Sequence, residues 1–526
     1  MGFLGGDRPE QSYLLPPDVR DWLPAGHLAW ALPGQAEEMD VSAFTGWYRA
    51  DGQGRPAYHP KMMVALVCYC YCKGIRSSRA IEAATFDDLG ARVICGNLHP
   101  DHSTTARFLE RHQAAVKKLV AFSVTACARE GLVSVDVVAG DGTKIRASAS
   151  KAANATVAEL NKQIEGLEQL IEAEIAEWIA QARAEDIAQG SLPDGDGDGD
   201  EGGDGGPPVT GGAGQGRRRT AATLARRRDA RDRLAASEQA RQAEADAAGT
   251  ERTAKLEARA ASAASAAGAM AAEADAKAAD YERRAGAEAR RGPAPLRAQA
   301  SAGVAAARHR AARAAAKLAA ARAEPAAPVA AGKINATDPS SAMMPAKNGG
   351  FGQHYNVQAL AGKQQVIYAI TTHPNPADTT ALHPLLAAAR ATLDAAGITG
   401  KFGAVLFDAG YASDASFTAP CEGDLHVAIT REARQTGRLN DGRQRNIRKP
   451  SWQEMAEKLA ADPGKTLYRQ RAGIIEPVFA QLFNRLGTRL NYRDDKIDLE
   501  LSLWAATHNM LKAIRARHRA TAAQAT

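Results

Sequence analysis

The sequence has few of the features that mark disulfide-stabilised, zinc-binding or membrane proteins. Only six of its 526 residues are cysteines, and Cys68, Cys70 and Cys72 alternate with tyrosines in an apolar stretch, where cysteine packs as a small hydrophobic residue. Zinc sites use Cys-x2-Cys pairs, and none is present. The longest apolar run, residues 62–72, is too short to span a bilayer, and no secretory signal peptide is recognisable. We therefore expect a cytoplasmic protein with no disulfides and no membrane partner.

The sequence also lacks a large excess of either charge, because basic and acidic residues nearly balance, but the basic residues are clustered. The net charge is +6 and the isoelectric point is about 8.9. Runs of arginine occur at residues 217–219, 226–228, 283–284 and 290–291, and again in the tail at 515, 517 and 519. Each cluster either contacts a polyanion or forms a solvated helix face, and for a single cluster the solvated face is favoured.

Residues 1–130 predict an all-helical N-terminal domain. Pro60 opens a helix that continues through Cys72, and a later helix follows the polar residues 101–105 and carries Arg107 and Arg111. Short helices with tight turns and arginines on the later ones suit a helix-turn-helix DNA reader. The alternative is an ordinary helical domain whose arginines face water.

Residues 151–330 differ in character and predict a helical, coiled-coil insertion. Apart from Glu174, apolar residues from Val157 to Trp178 recur at spacings of three and four, as in a heptad seam. The acidic, glycine-rich segment near 190–216 has too little apolar content to fold and predicts a disordered loop. The alanine- and arginine-rich block from 217 to 323 predicts helix, so the insertion is expected to form a helical hairpin.

The remaining segments predict an α/β catalytic core of the ribonuclease H-like type, formed by residues 131–150 and 331–517 and followed by a flexible tail at 518–526. β-Branched and apolar runs predict strands, at 132–138, 355–360, 365–372, 404–407 and 425–430. Helical patterns cover 378–396, 451–460, 473–486 and 499–517. In this fold the first and fourth strands are neighbours, so Asp141 and Asp408 are expected to meet despite the long insertion.

Three acidic residues stand out, each within a short motif. Asp141 follows the first predicted strand in VAGDGTK, Asp408 follows a buried strand in VLFDAGY, and Glu476 lies in the helix-like run IIEPVF. Three carboxylates brought together can hold two divalent cations, which cut and join phosphodiesters. Taken singly, each aspartate could instead be a turn residue, and Glu476 could be a helix N-terminal acid. The order of the motifs favours the triad.

The motifs resemble those of insertion-sequence DDE transposases in the ribonuclease H-like superfamily. The resemblance rests on the three acid motifs, on DGTK followed by ASAS at 147–150, and on TDP at 337–339 with GQHYNVQ at 352–358. Residues 14–17, 58–61 and 103–108 resemble that family's N-terminal DNA-binding domain. The resemblance implies that Asp141, Asp408 and Glu476 bind two Mg²⁺ ions, with Mn²⁺ able to substitute, and that one aspartate bridges the pair.

The family also has a Tyr, Arg, Glu, Lys signature around the third acid. Tyr468 and Arg471 match its first two positions upstream of Glu476, which implies contacts to DNA phosphates. The expected lysine is replaced by Phe483, and Arg485 is the nearest substitute. From the sequence itself, Lys144 and Arg146 are either DNA-backbone contacts or simply exposed strand residues.

We therefore hypothesise a transposase that acts on double-stranded DNA. The resemblance implies binding to an element's terminal inverted repeats, hydrolysis to free a 3′-hydroxyl, and transfer of that strand to target DNA. A homodimer is expected. The insertion either serves dimerisation or DNA clamping, or is an inert, solvated coiled coil, and the sequence leaves these alternatives open. Two alternatives remain: a metal-dependent nuclease without strand transfer, and a transposase-derived DNA-binding protein whose active site has decayed.

Overall fold

The computed structural model describes residues 18–46, 56–189, 213–284, 293–324, 329–346, 349–429 and 449–524. The motif at residues 14–17 and residues 190–212 of the acidic segment lie outside the described residues. Contacts divide the chain into two compact units, one formed by residues 1–153 with 337–526 and the other by residues 154–336. No helix among the described residues has the length and apolar character needed to cross a membrane.

The helices are numbered in chain order. In the first unit before the insertion they are α1 Val19–Trp22, α2 Leu28–Glu37, α3 Ser42–Thr45, α4 Pro60–Cys72, α5 Ser78–Asp87, α6 Leu89–Ile94, α7 His102–Arg111, α8 Gln113–Lys117 and α9 Leu119–Arg129. In the second unit they are α10 Val157–Gln189, α11 Ala213–Arg284 and α12 Ala302–Ala323. After it come α13 Leu382–Ala395, α14 Asp414–Thr418, α15 Pro450–Ala460, α16 Gly464–Tyr468, α17 Gln470–Leu486 and α18 Ile497–Gln524.

The strands are numbered in the same way. They are β1 Val137–Arg146, β2 Asn154–Ala155, β3 Ile334–Asn335, β4 Ala342–Pro345, β5 Phe351–Gly362, β6 Ile367–His373, β7 Ala404–Phe407 and β8 Asp424–Val427. Strands β2 and β3 pair within the second unit, and the others form the sheet of the first unit.

The sheet of the first unit is mixed. Strand β5 pairs antiparallel with β1, β4 and β6. Strand β7 pairs parallel with β1 on one side and with β8 on the other. The order β6-β5-β1-β7-β8 therefore places β1 at the centre. Strands β1 and β7 correspond to the first and fourth strands predicted from the sequence, and they are neighbours as expected. An α/β architecture with a helical N-terminal region is what the structure shows.

Side chains of β1 alternate between two apolar cores, as the two-residue period of a strand requires. Val137 and Ala139 join the core formed with the N-terminal helices, α17 and α18. Val138 faces the other core, which includes residues of α9 and α13. The predicted helical domain 1–130 thus shares a core with the sheet rather than having one of its own. Gly140 is required here, because an added Cβ would overlap the buried ring of Phe407.

Three element boundaries differ from the prediction, and the first two affect the site. Strand β1 was expected at 132–138 but runs from Val137 to Arg146, so Asp141 lies inside the strand and not after it. Gly140 did not end the strand because the neighbouring strand β5 pairs with β1 through this region. Helix α13 was expected from residue 378 but begins at Leu382, which leaves Asp378 in the loop before it. Helix α18 extends to Gln524, beyond the expected end at residue 517.

The second unit is built on the long helix α11, which packs against both α10 and α12. The predicted heptad seam is buried only at its start. Leu160 and Ile164 are buried, and Leu160 packs near Ala230 of α11, whereas Trp178 further along α10 is 50% exposed. The alanine-rich block contributes small buried contacts between α11 and α12, at Ala267, Ala278, Val304 and Ala307.

Candidate active site

The three acidic residues predicted from the sequence lie on elements that meet at the centre of the sheet. Asp141 is within β1, and Asp408 directly follows its parallel neighbour β7. Because Ala139 pairs with Leu406, each aspartate lies two residues further along its strand, and the two reach the same level of the sheet. Glu476 is carried by α17, which packs against β1.

Arg471 joins two of these acids. One terminal nitrogen of its guanidinium, Nη1, lies 3.7 Å from Oδ2 of Asp141, and Nη2 lies 3.6 Å from Oε1 of Glu476. The Arg471 side chain is only 6% exposed, while that of Glu476 is 56% exposed. The nearly buried guanidinium of Arg471 therefore lies between the carboxylate of Asp141 on the sheet and that of Glu476 on α17.

Asp141 lies in a strongly negative, largely buried environment. Burial is the main cause that raises the pKa of its carboxyl to about 6, and the nearby charges of Asp408 and Asp378 raise it further. Arg471 and a hydrogen bond from the backbone N–H of Gly142 act in the opposite direction. Since Arg471 does not fully offset the burial and the neighbouring acids, an additional cation at this place would be stabilising.

Asp378 is a fourth carboxylate in the same region, and sequence reasoning missed it. A Cβ added to Gly410 would lie 3.1 Å from Oδ1 of Asp408 and 3.3 Å from Oδ2 of Asp378, so these two carboxylates flank the same glycine. The other oxygen of Asp378, Oδ1, lies 3.4 Å from the Lys144 ammonium. No family motif covers residue 378, and the predicted helix placed it in a first turn, where an acid has an ordinary electrostatic explanation.

A buried polar network fixes Asp378. The side-chain amides of Asn356 and Gln358 donate hydrogen bonds to its Oδ1 at 2.7 and 2.8 Å. The carbonyl of Gln358 in turn accepts a hydrogen bond from the hydroxyl of Tyr411. Asn356, Gln358 and Tyr411 are all fully or almost fully buried. Two of them come from the GQHYNVQ motif on β5, which the sequence had singled out without assigning it a contact.

The charges around this region do not balance. Among the described residues, four carboxylates, from Asp141, Asp378, Asp408 and Glu476, lie near two basic side chains, those of Arg471 and Lys144. The excess of negative charge is what a divalent cation would offset. Within the part of the chain that the structure describes, no group of three or more His, Cys, Asp or Glu side chains is arranged to hold a metal ion. In this conformation, Arg471 supplies the positive charge between Asp141 and Glu476.

The signature residues around Glu476 are placed differently from what the sequence implied. Tyr468 is 9% exposed and Arg471 is 5% exposed, so neither presents a free surface to DNA. Phe483 follows Glu476 by seven residues, nearly two helical turns, and lies on the same face of α17. Arg485 follows by nine residues and lies on the opposite face. Arg485 therefore does not occupy the helix face on which the missing lysine would lie.

The environment of Arg485 agrees with that placement. Burial is the main cause that lowers the pKa of its guanidinium, and the neighbouring charge of Arg515 lowers it further, against an opposing effect of Cys72. Cys72 ends α4 and Arg515 lies on α18. The Arg485 side chain thus belongs to the packing between helices and not to the group of acids.

The other predicted DNA contacts divide into exposed and paired side chains. Arg107 and Arg111 are exposed and lie one turn apart on α7, so both face the same side of that helix. Arg146 is exposed at the end of β1. Lys144 is instead half-buried in its ion pair with Asp378. Three of these four side chains are therefore exposed, with Arg107 donating hydrogen bonds to Ser103 of its own helix, whereas Lys144 is already engaged.

Comparison with known proteins identifies the family. A family model described as a transposase domain (DUF772) matches residues 17–111, and a second, described as a transposase DDE domain, matches residues 338–510. No curated protein matches the chain. No solved structure matches it either.

Two matched domains in this order, beside a mixed sheet with converging acids, define a transposase. Together the matches cover about half of the chain, and it belongs to the insertion-sequence DDE transposases. Members of that family act on DNA and generally use divalent metal ions. Asp408 and Glu476 lie inside the matched DDE domain, whereas Asp141 lies before it, across the insertion. The assignment of Asp141 to the site thus depends on its place in β1 and on its contact with Arg471.

Proposed function

We propose that this transposase binds the terminal inverted repeats of its element and catalyses strand cleavage and strand transfer at the site of Asp141, Asp408 and Glu476. The observation that carries the proposal is the convergence of these acids, with Arg471 between Asp141 and Glu476 at 3.7 and 3.6 Å. Asp141 and Glu476 are more than 300 positions apart in the chain, and the fold brings both to one nearly buried guanidinium.

The strand order supports a ribonuclease H-like core. Apart from β4, which pairs with the start of β5, strands β1, β5 and β6 form an antiparallel meander, and β7 and β8 add in parallel on the other side of β1. This is the arrangement that brings acids on the first and fourth strands together. The insertion lies in the chain between β1 and β4, after the first acid, and contributes no strand to this sheet.

The side chains present suit divalent cations. Carboxylate oxygens are the hard ligands that Mg²⁺ and Mn²⁺ prefer. The pKa of Asp141 is raised chiefly by burial and further by the charges of Asp408 and Asp378, and a bound cation would offset both effects. Asp141 and Asp408 would share the ions, and Glu476, which is more than half exposed, would complete the set from α17. Two bound cations supply an activated nucleophile and stabilise the leaving oxygen of a phosphodiester.

The protein's own residues provide orientation and DNA contacts. Arg471 holds Asp141 and Glu476 near each other, which keeps α17 in register with the sheet. Arg107 and Arg111 present two exposed cations on one face of α7 for the phosphate backbone. A homodimer would bring two element ends together, and the partly exposed apolar residues of α10 support a role for the insertion in that contact, namely Leu170, Ile175, Trp178 and Ile179.

The test is cleavage of DNA carrying the element ends, with Mg²⁺ or Mn²⁺, by the wild type and by Asp408→Asn. We expect the variant to lose activity by more than roughly 100-fold, since changes in residues that merely support metal ligands already cost 10- to 100-fold. Asp414→Asn is the matched control, because Asp414 pairs instead with Lys449 and Trp452 away from these acids. Equal activity of Asp408→Asn and the wild type would contradict the assignment of the active site to these acids.

Strand transfer is tested separately with a pre-cleaved end that carries a free 3′-hydroxyl. Joining of this end to plasmid DNA is expected for a transposase, whereas cleavage without joining would indicate a nuclease. Phe483 in place of the family's lysine is the observation that favours a decayed site. The absence of both cleavage and joining in the wild type would support that alternative.

A further inference from the structure

We propose that Asp378 is a fourth acidic residue of the active site and binds a divalent cation together with Asp408. This inference rests on the proposed metal-dependent function and assigns a residue to it that neither the acid motifs nor the signature around Glu476 contains. Asp378 lies in the loop between β6 and α13, outside any helix or strand.

The two oxygens of Asp378 have different surroundings. Oδ1 accepts hydrogen bonds from Asn356 and Gln358 and lies near Lys144. Oδ2 has no hydrogen-bond partner among the described residues, and it faces Gly410 beside the carboxylate of Asp408. One oxygen is thus used to orient the side chain, and the other is left pointing towards a second negative group.

This arrangement is unfavourable unless a cation is shared. Two carboxylates that flank one small residue repel each other, and Oδ2 of Asp378, whose side chain is 22% exposed, receives no hydrogen bond from the described residues. An acid that only supported its loop would gain nothing from facing Asp408. A metal ligand, in contrast, needs one oxygen free and the other fixed by neighbouring polar groups.

The buried network is built to hold that position. Asn356 is 0% exposed and Gln358 is 1% exposed, and both direct their amide N–H groups at Oδ1. The amide of Gln358 also donates to the carbonyl of Asn356 at 2.8 Å, which fixes the orientation of both side chains. Buried amides with defined partners leave the Asp378 carboxylate little freedom to rotate. The absence of a side chain at Gly410 leaves the space between Asp378 and Asp408 open.

The experiment measures Mn²⁺ binding to the full-length protein without DNA, by calorimetry and by electron paramagnetic resonance. We expect Asp378→Asn to weaken Mn²⁺ binding by roughly tenfold or more, as changes at groups that hold metal ligands do. The variant is expected to fold, because asparagine keeps the oxygen that accepts from Asn356 and Gln358 and removes repulsion with Asp408. Asp378→Glu, which retains the charge, should bind Mn²⁺ with intermediate affinity and serves if the asparagine variant does not fold.

Lys144→Gln is the matched control. It also breaks the Lys144–Asp378 ion pair, but it leaves Oδ2 of Asp378 charged and removes a competing cation. If Asp378 binds the metal, Lys144→Gln should bind Mn²⁺ at least as tightly as the wild type. A purely structural Asp378 would instead make both variants alter thermal stability and neither alter Mn²⁺ affinity, which would overturn the inference.

Asp408→Asn separates this inference from the proposed function. Loss of Mn²⁺ binding in Asp408→Asn with wild-type binding in Asp378→Asn would overturn only the role of Asp378. Wild-type Mn²⁺ binding in both variants would overturn the metal site itself. Weakened binding in both supports a cation shared between the two residues.

Discussion

At the scale of single residues, the protonation of Asp141 links the site to the stability of the whole chain. Its pKa is raised from 3.8 to about 6, chiefly by burial. In the unfolded chain the carboxyl loses its proton near pH 4, whereas in the folded protein it keeps the proton until about pH 6. The folded state therefore binds more protons between these values, and stability decreases as pH rises through this window.

We expect Asp141→Asn to cancel this loss. In EDTA, the free energy of unfolding of the wild type should fall relative to the variant between pH 4 and pH 7, by on the order of 2 kcal/mol. Chemical denaturation at several pH values would measure the difference. Asp414→Asn is an opposite-sign control, because hydrogen bonds from Lys449 and Trp452 lower the pKa of Asp414 and its removal should cost stability at neutral pH. A pH-independent difference between the wild type and Asp141→Asn would contradict the raised pKa.

At the scale of secondary-structure elements, the sequence was sufficient to predict the bounds of those helices and strands that local residue patterns determine. Helix α4 runs from Pro60 to Cys72, as the proline and the apolar run predicted, and β7 occupies the predicted residues 404–407. The extent of β1 was not predictable, because glycines that would end an isolated strand are tolerated when β5 pairs alongside. Asp378 was missed for a related reason: its role depends on amides from β5 that are distant in sequence.

The periodicity of α17, by contrast, is sufficient to predict which residues share the helix face of Glu476. A lysine seven residues after Glu476 would share its face, and a basic residue nine residues after it would not. Counting turns therefore excludes Arg485 and leaves Phe483 in the signature position. In the structure Phe483 lies 6.0 Å from Phe479 between ring centroids, so the position is occupied by packing and not by charge.

We expect Phe483→Lys to increase binding of DNA that carries the element ends, and to increase their cleavage several-fold. One added phosphate contact should also steepen the dependence of affinity on salt by about one unit in the logarithmic slope. Asn484→Lys adds the same charge on another face of α17, where the side chain is exposed, and should have a smaller effect. Binding measured by fluorescence anisotropy at several salt concentrations would compare them. Equal effects of the two lysines would show that net charge alone, and not the face of the helix, matters.

At the scale of the whole molecule, the second, helical unit interrupts the first unit in the chain without contributing a strand to its sheet. The insertion begins after β1 and ends before β4, and its two ends are joined by the pairing of Asn154 with Asn335. The matched DDE domain begins only at residue 338. The sequence indicated this division through composition, since alanine-rich helical segments replace the mixed apolar pattern of the core. What the unit does depends on partners that composition does not specify.

The ends of the insertion permit a direct test of its independence. Antiparallel partners lie about 5 Å apart, so a short glycine-serine linker in place of residues 154–336 should connect β1 to the rest of the sheet without strain. We expect the shortened protein to fold, with a lower helix content by circular dichroism and Mn²⁺ affinity within about twofold of the full chain, because the four acids and Arg471 all lie in the first unit. If the insertion mediates dimerisation, light scattering should show the shortened protein as a monomer and the full chain as a dimer. Failure of the shortened protein to fold, or loss of its Mn²⁺ binding, would show that the first unit depends on the insertion for its structure.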